Sequence, residues 1–330
     1  MSDLKRREIW IDNVKVIACA LVVLGHFFQS MTKANIVPEN GLYMWFNQTI
    51  YYFHVPLFFI CSGYLYQKLS KVNDVHSWAR NLRKKAVCLG IPYFTFSLAT
   101  WILKTVFSGS TNNQIGGLFD TLFLHPASPY WYLYALFFIF LITPTFGSKT
   151  MAAAGLFISG CLKVLDIVGV HGIRAITYIL SNEIWFVIGM CFCVWNVQAQ
   201  IKKFIAIAAG MVFLALSMLV YEYNLQNAWI GFGMGVLACF SVVVLAFSTA
   251  ERQSVTFGFF AKYTMPIFLM HTLFAASFRA ILLKLGVRNA AMHISLGILI
   301  GFAGPIIAAA GMKKSKWLEF FLYPGKYLKL

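Results

Sequence analysis

Residues 10–30 read WIDNVKVIACALVVLGHFFQS. From Val14 to Phe28 the run is apolar except for Lys15 and His26. It has the length of a membrane-crossing helix, which needs about 20 residues. At 3.6 residues per turn the two polar residues fall on one face, roughly 16 Å apart along the axis. Asp12, one turn before Lys15, and Gln29, one turn after His26, extend the same stripe. The other faces are Ile, Val, Leu and Ala. A helix that is amphipathic inside a membrane must turn its polar stripe toward other helices or a watery cavity.

The rest of the chain is of the same kind. Of 330 residues, 60% are hydrophobic and 12% charged, and the mean hydropathy is +0.73. Soluble domains carry about a quarter charged residues, so this composition belongs to a polytopic membrane protein. Ten apolar segments predict an all-α transmembrane helical bundle: 10–31, 45–67, 86–107, 130–147, 150–168, 175–197, 203–221, 228–249, 260–284 and 290–312. The stretch 108–129, with SGSTNN and HPASP, reads as a loop. No internal repeat or low-complexity linker is visible, and a single integral-membrane domain is expected over 1–330. Lys5, Arg6 and Arg7 precede the first span, but no small-residue cleavage site follows, so it is read as a retained helix.

The net charge of +16 needs a partner or a location. No basic stripe interleaved with aromatics stands in a soluble segment, which argues against nucleic acid. Counting Lys and Arg along alternate loops puts 19 of the 27 on the side of the N-terminus. The positive-inside rule then makes that side cytoplasmic and predicts both termini inside. The seven cysteines fall in or beside apolar segments, and Cys191 and Cys193 lie on different helix faces. They read as small apolar fillers, neither disulfides nor metal ligands.

Two readings of Lys15 stay open: a lysine snorkelling to the cytoplasmic interface, and a cation that holds an anionic substrate. His26 lies deeper, where a titratable group is a functional candidate by default and a hydrogen-bonded structural histidine is the alternative. In the second span FHVPLFFICSGYLY (53–66), Ser62-Gly63 invites close approach of a helix or a ligand. The loop 68–94 carries Arg80, Arg83, Lys84 and Lys85 just before the third span. They serve topology, and arginine forks also suit phosphate.

These residues together resemble the integral-membrane acyltransferase 3 family, whose members commonly O-acylate bacterial surface glycans. That family's first helix carries Arg or Lys, ten residues, then His, here Lys15 and His26. Its second carries Phe-Phe, two residues, Ser-Gly, here Phe58, Phe59, Ser62 and Gly63. A basic cluster before a Pro-aromatic step, here Arg83-Lys84-Lys85 ahead of Pro92-Tyr93, is similar to the family's third helix. PYWYLYALFF (129–138) resembles its fourth, and AKYTMPIFLMHTLF (261–274), with His271, a late one. The likeness runs from residue 10 to about 275. The chain departs from the pattern where the family often has Arg and an Asp-Gly step and Asp12-Asn13 and Lys15 stand here. Many relatives also carry a C-terminal hydrolase-like domain, which is not expected in this sequence.

The resemblance implies transfer of an acetyl or similar short acyl group, succinyl being the alternative, from cytoplasmic acyl-CoA, with acetyl-CoA the expected donor, to a hydroxyl of a surface or lipid-linked glycan, in the inner membrane, with no bound cofactor and no metal. His26 is the expected base, because imidazole is best tuned near neutrality. Lys15, Arg80, Arg83, Lys84 and Lys85 are the expected donor-binding residues. Asp12, Phe58, Phe59, Ser62, Gly63, His271 and Glu183 are expected to line the cavity or carry the motifs. Ser62 as an acyl-carrying nucleophile lacks an evident partner, and Glu183 is placed near an interface. His125 and His171 fall in outward loops. The competing reading is a proton-coupled transporter, which would also keep Lys, His and Glu in its helices but calls for inverted repeats that are not seen. A helical anchor or sensor without chemistry is the third; it would make Lys15 and His26 replaceable.

Overall fold

The computed structural model describes residues 8–70, 72–106, 116–170, 172–250 and 253–328. Lys5, Arg6, Arg7, Lys71, His171, Arg252 and Lys329 lie outside them, as does the 107–115 part of the expected loop. The described residues form an all-α bundle with no strands. Its long helices are α1 (Ile9–Lys33), α4 (Val75–Val106), α6 (Lys149–Ile167), α7 (Arg174–Trp195), α9 (Lys203–Glu222), α10 (Ala228–Ser248), α11 (Val255–Lys284) and α12 (Ala290–Met312). Between them stand α2 (Gly41–Tyr51), α3 (His54–Leu69), α5 (Trp131–Ile142), the short α8 (Val197–Gln200) and α13 (Lys316–Leu322). The eight long helices are long and apolar enough to cross a membrane, which makes this a multi-pass membrane protein.

Two expected spans are shorter than the apolar runs that announced them. The segment 45–67 is two helices, α2 and α3, broken at Tyr52 and Phe53. Pro56 is the reason: in a continuous helix its ring would clash with the Tyr52 carbonyl, whereas proline suits a helix's first turn. The freed Tyr52 carbonyl instead lies against α10, where a Cβ on Gly235 would stand 2.7 Å from it. The segment 130–147 is helical only to Ile142; Thr143 leaves in an extended conformation. That exit is tied to the end of α3 by Tyr66 Oη donating to the Thr143 carbonyl (2.8 Å) and by Gln67 bonding both backbone groups of Phe146.

The third span is longer than expected. Arg80, Arg83, Lys84 and Lys85 stand in the first turns of α4, not in a loop before it. The sequence Asp74-Val-His-Ser77 starts the helix early: Ser77 N–H donates to Asp74 Oδ1 at 2.8 Å, while Ser77 Oγ accepts from the Asn73 and Asp74 amides. A reciprocal cap of this kind satisfies N–H groups that a helix start leaves without partners.

Helix α1 is central, packed against α3, α10, α11 and α12. Alternate helices run in opposite directions, so the bundle has a proximal end, where α1 begins, and a distal end, where Lys33 closes it. Glu8 pairs with Lys68 at the end of α3, fixing the proximal end. The C-terminal segment returns to the same end: α13 packs on α4, and a Cβ on Gly325 would lie 2.9 Å from Cys88 Sγ. The described chain therefore begins and finishes on one side of the bundle. All seven cysteines are free.

The tightest helix pair is α3 against α7, and two glycines set its distance. A Cβ on Gly63 would fall 1.9 Å from the Phe186 carbonyl oxygen, and one on Gly189 would fall 2.0 Å from that of Ile60. Each backbone thus occupies the notch left by the other's missing side chain, the small-residue solution by which membrane helices gain packing without a hydrophobic driving force.

Candidate active site

His26 stands in the last third of α1, toward the distal end, and lines a cavity of about 930 Å³. The walls come mainly from the distal portions of the helices: the ends of α1, α2, α4, α6 and α11, the starts of α3 and α10, the first half of α7, and the 127–131 turn before α5. Ser128 Oγ lies 3.3 Å from His26 Nε2, giving the imidazole a hydroxyl partner from a different part of the chain.

A second imidazole stands beside it. The rings of His26 and His271 have centroids 5.5 Å apart and are inclined by 32°. His271 is 1% exposed, and its Nδ1 lies 3.0 Å from the carbonyl oxygens of both Ile267 and Phe268. Only an N–H can face two carbonyls, so Nδ1 carries the proton and Nε2 is an acceptor. That Nε2 has no hydrogen-bond partner among the described residues. His54 is fixed the same way, Nδ1 donating to the Ile50 carbonyl at 2.6 Å, and it too lines the cavity. Among the described residues no group of three or more His, Cys, Asp or Glu is placed to hold a metal ion.

The remaining expected residues are distributed unevenly. Lys15, Arg80, Arg83, Lys84 and Lys85 are not in the cavity wall; they belong to the proximal halves of α1 and α4. Lys85 Nζ sits 3.9 Å from the centre of the Phe140 ring, a cation–π contact. Asp12 stands one turn before Lys15 on α1, and it too is outside the wall. The Phe-Phe-x-x-Ser-Gly run does packing work. Ser62 Oγ is 2.9 Å from Tyr132 Oη, which in turn donates to the Phe58 carbonyl, and both Phe58 and Phe59 pack against the Tyr132 ring. Ser62 thus takes part in the packing of α3 on α5.

Glu183 differs from the interfacial position expected for it. It is the tenth residue of α7, is 4% exposed, and accepts from Thr143 Oγ1 at 2.6 Å. Its neighbour Asn182 lines the cavity and Glu183 does not, since successive helix residues point about 100° apart. His125 is exposed and pairs with Asp120 at 2.6 Å, outside the cavity.

Sequence reasoning missed several cavity residues. Ser128 sits in the HPASPY turn, a stretch read only as loop. Arg279 is 7% exposed near the end of α11, with Nη1 donating to the Ser30 carbonyl at 2.9 Å. Lys163 and Asp166 form an ion pair of 2.7 Å that Ser181 joins through Asp166 Oδ1, also at 2.7 Å. Their spacing of three residues on one helix was the available signal. Tyr51 and Tyr52 border both the main cavity and a shallower one of about 690 Å³ lined by Tyr43, Asn47, Gln48 and Gln226.

An imidazole pair in a cavity toward one end and a cationic helix start toward the other place this chain among multi-pass membrane proteins with a polar site inside the helical bundle. The comparisons narrow that class. A family model described as "Acyltransferase domain" matches residues 8–310, and the chain belongs to that acyltransferase family. It is similar to the Nodulation protein NolL of Sinorhizobium fredii, 34% identical over 146 residues, covering 43% of this chain and 37% of that protein. It is also similar to the Nodulation protein NolL of Mesorhizobium japonicum, 24% identical over 231 residues, 66% of this chain and 59% of that one. The chain thus spans between about two fifths and three fifths of the length of these relatives. No solved structure matches it.

Proposed function

We propose that this protein is an O-acyltransferase of the bacterial inner membrane, moving an acetyl group from cytoplasmic acetyl-CoA to a hydroxyl of a cell-surface or lipid-linked glycan. The observation that carries the reading is His26, an imidazole inside a distal cavity of about 930 Å³ on the helix that bears Lys15 at its proximal end. With the proximal end cytoplasmic, the donor meets the basic start of α4 and Lys15, and the acceptor enters from the distal face. The tyrosine- and amide-lined pocket that adjoins the cavity at Tyr51 and Tyr52 has the groups that bind sugar hydroxyls.

The chemistry follows from the residues. His26 takes the proton of the acceptor hydroxyl as its oxygen attacks the thioester carbonyl carbon. The carbon–sulfur bond then breaks, the acyl group stays on the oxygen, and His26 returns the proton to the departing thiolate. General-base assistance of this kind contributes about 100- to 10,000-fold. Ser128 orients the His26 ring, and His271 presents a neutral nitrogen beside it. Lys15 binds as a point charge, since an ammonium lacks the arginine fork. A helical bundle that used these residues for solute transport alone would carry no acyl group.

The test is transfer of radiolabelled acetyl from acetyl-CoA into glycan, in membranes with and without the protein. Label above that of empty membranes is expected. Its absence, with glycan present and the protein folded, would remove the reading in favour of transport.

A further inference from the structure

The positive-inside count leaves eight basic residues within helices or on the other side, and Lys15, in the proximal half of α1, is one of them. Of the other seven, five line the cavity: Lys33, Lys104, Lys163, Arg279 and Lys284. Asp166, the single carboxylate among the described lining residues, is paired with Lys163. The distal end of a membrane bundle is where lysine and arginine are normally scarce. Their convergence on one cavity calls for an explanation that topology does not supply.

We infer that the distal mouth of this cavity binds an oxyanion carried by the acceptor, a phosphate or a carboxylate, and holds it while the acceptor hydroxyl reaches His26. The assignment to the acceptor rests on the acyl-transfer reading; the oxyanion site itself does not. Arg279 is the strongest support. Lysines at helix ends can extend their ammonium groups into water, but this guanidinium belongs to a residue only 7% exposed. Its Nη1 donates to a neutral backbone carbonyl, that of Ser30, with one of the guanidinium's five N–H donors. Burying a cation against a neutral group is costly, and an anion beside it offsets that cost.

The positions fit a ligand shared between helices. Ser30, which anchors Arg279, is four residues beyond His26 on α1, about 6 Å along the axis. Lys33 is one turn further, and Lys104 approaches from the end of α4. An anion held by Arg279, Lys33 and Lys104 thus sits about one to two turns distal to the imidazole, leaving room for a sugar-sized group between them. Low-dielectric walls around a cavity of one charge sign focus its field and raise the local concentration of oppositely charged ligand. An acceptor bearing phosphate or uronate fits this mouth better than a neutral one.

The experiment measures binding to the purified full chain in phosphatidylcholine nanodiscs, with inorganic diphosphate, tetragalacturonate and the neutral maltotetraose as probes. Diphosphate or tetragalacturonate is expected to bind with an affinity that falls as salt rises, and maltotetraose to bind at least tenfold more weakly than the better anion. Lys33→Gln with Lys104→Gln, both at helix ends where folding should survive, is expected to weaken the anion at least tenfold. Arg279→Lys should weaken it less than Arg279→Gln. Anion binding in none of these, or equal binding in wild type and the double variant, overturns the site. Two arms separate the sources of oxyanion. Exchange of the nanodisc lipid for phosphatidylglycerol should leave the affinity within about twofold; displacement by that lipid would make a headgroup the ligand and overturn the acceptor assignment. Coenzyme A should not compete; competition would move the site to the donor. His26→Ala should stop acetyl transfer and leave anion binding intact. Anion binding without acetyl transfer in the wild type would sink the enzyme reading alone.

Discussion

The imidazoles of His26 and His271 stand 5.5 Å apart between ring centres, on helices α1 and α11 that pack along each other. One lines the cavity and meets the Ser128 hydroxyl, and the other is held from behind by two carbonyls, so the two rings are fixed from different parts of the chain. His271→Ala is expected to lower the acetyl-transfer rate by about 10- to 100-fold, at or below the low end of what a general base contributes. The rates are compared at matched membrane abundance, because truncating a side chain only 1% exposed also lowers stability. A rate equal to wild type would make His271 a packing residue.

Gly63 and Gly189 hold α3 and α7 at a separation that admits no methyl group. Gly63→Ala would put a Cβ 1.9 Å from the Phe186 carbonyl oxygen, which is backbone and cannot swing aside. Overpacking commonly costs about 1–3 kcal/mol, and a backbone clash lies at the upper end of that range or above it. Thermal unfolding in detergent should show a clear fall for Gly63→Ala and for Gly189→Ala. Gly90→Ala, with nothing within 4 Å, serves as the neutral control.

Lys163, Asp166 and Ser181 join α6 to α7 at the cavity wall. The two charged side chains are 15% and 16% exposed, enough burial for loss of one partner to matter. Asp166→Ala is expected to destabilise by about 1–3 kcal/mol, because it strands an ammonium and a hydroxyl. Replacing both charges, as Lys163→Met with Asp166→Leu, should recover much of that loss. Equal stability of the single and double variants would contradict the assignment.

The C-terminal segment is fastened by Glu319. Its hydrogen bond from Lys326 (2.6 Å), then one from Tyr327, hold the carboxyl below its ordinary range. A carboxyl whose folded-state pKa is depressed stabilises above its unfolded pKa, and the contribution is lost as pH falls through the folded value. Acidification below the ordinary carboxylate range should therefore loosen residues 316–327, seen as faster amide hydrogen exchange there than in α12. Glu319→Gln should produce the same loosening at neutral pH, and its exchange should no longer respond to acid.

Much of this architecture was legible in the sequence because a membrane imposes a simple rule: apolar runs of fixed length become helices. The rule failed where a residue overrode hydropathy. Pro56 split one run into α2 and α3, and the Asp74–Ser77 cap started α4 ten or so residues early. The place of His26 on a cavity wall was legible because a polar stripe on an apolar membrane helix must face other helices or a cavity. His54, Ser128 and Arg279 were not, since their roles depend on which helix ends converge. That convergence is a tertiary fact with no local signature. Gly189 was missed for the same reason: only the facing Ile60 carbonyl shows why it has no side chain.

The most direct measurement compares wild type with His26→Ala, at matched membrane abundance, for transfer of labelled acetyl from acetyl-CoA into host glycan. A general base predicts a fall of about 100-fold or more, with the variant folded and in the membrane. Equal label from wild type and His26→Ala would contradict that role, leaving His26 a structural histidine and the catalytic base to be sought elsewhere in the cavity.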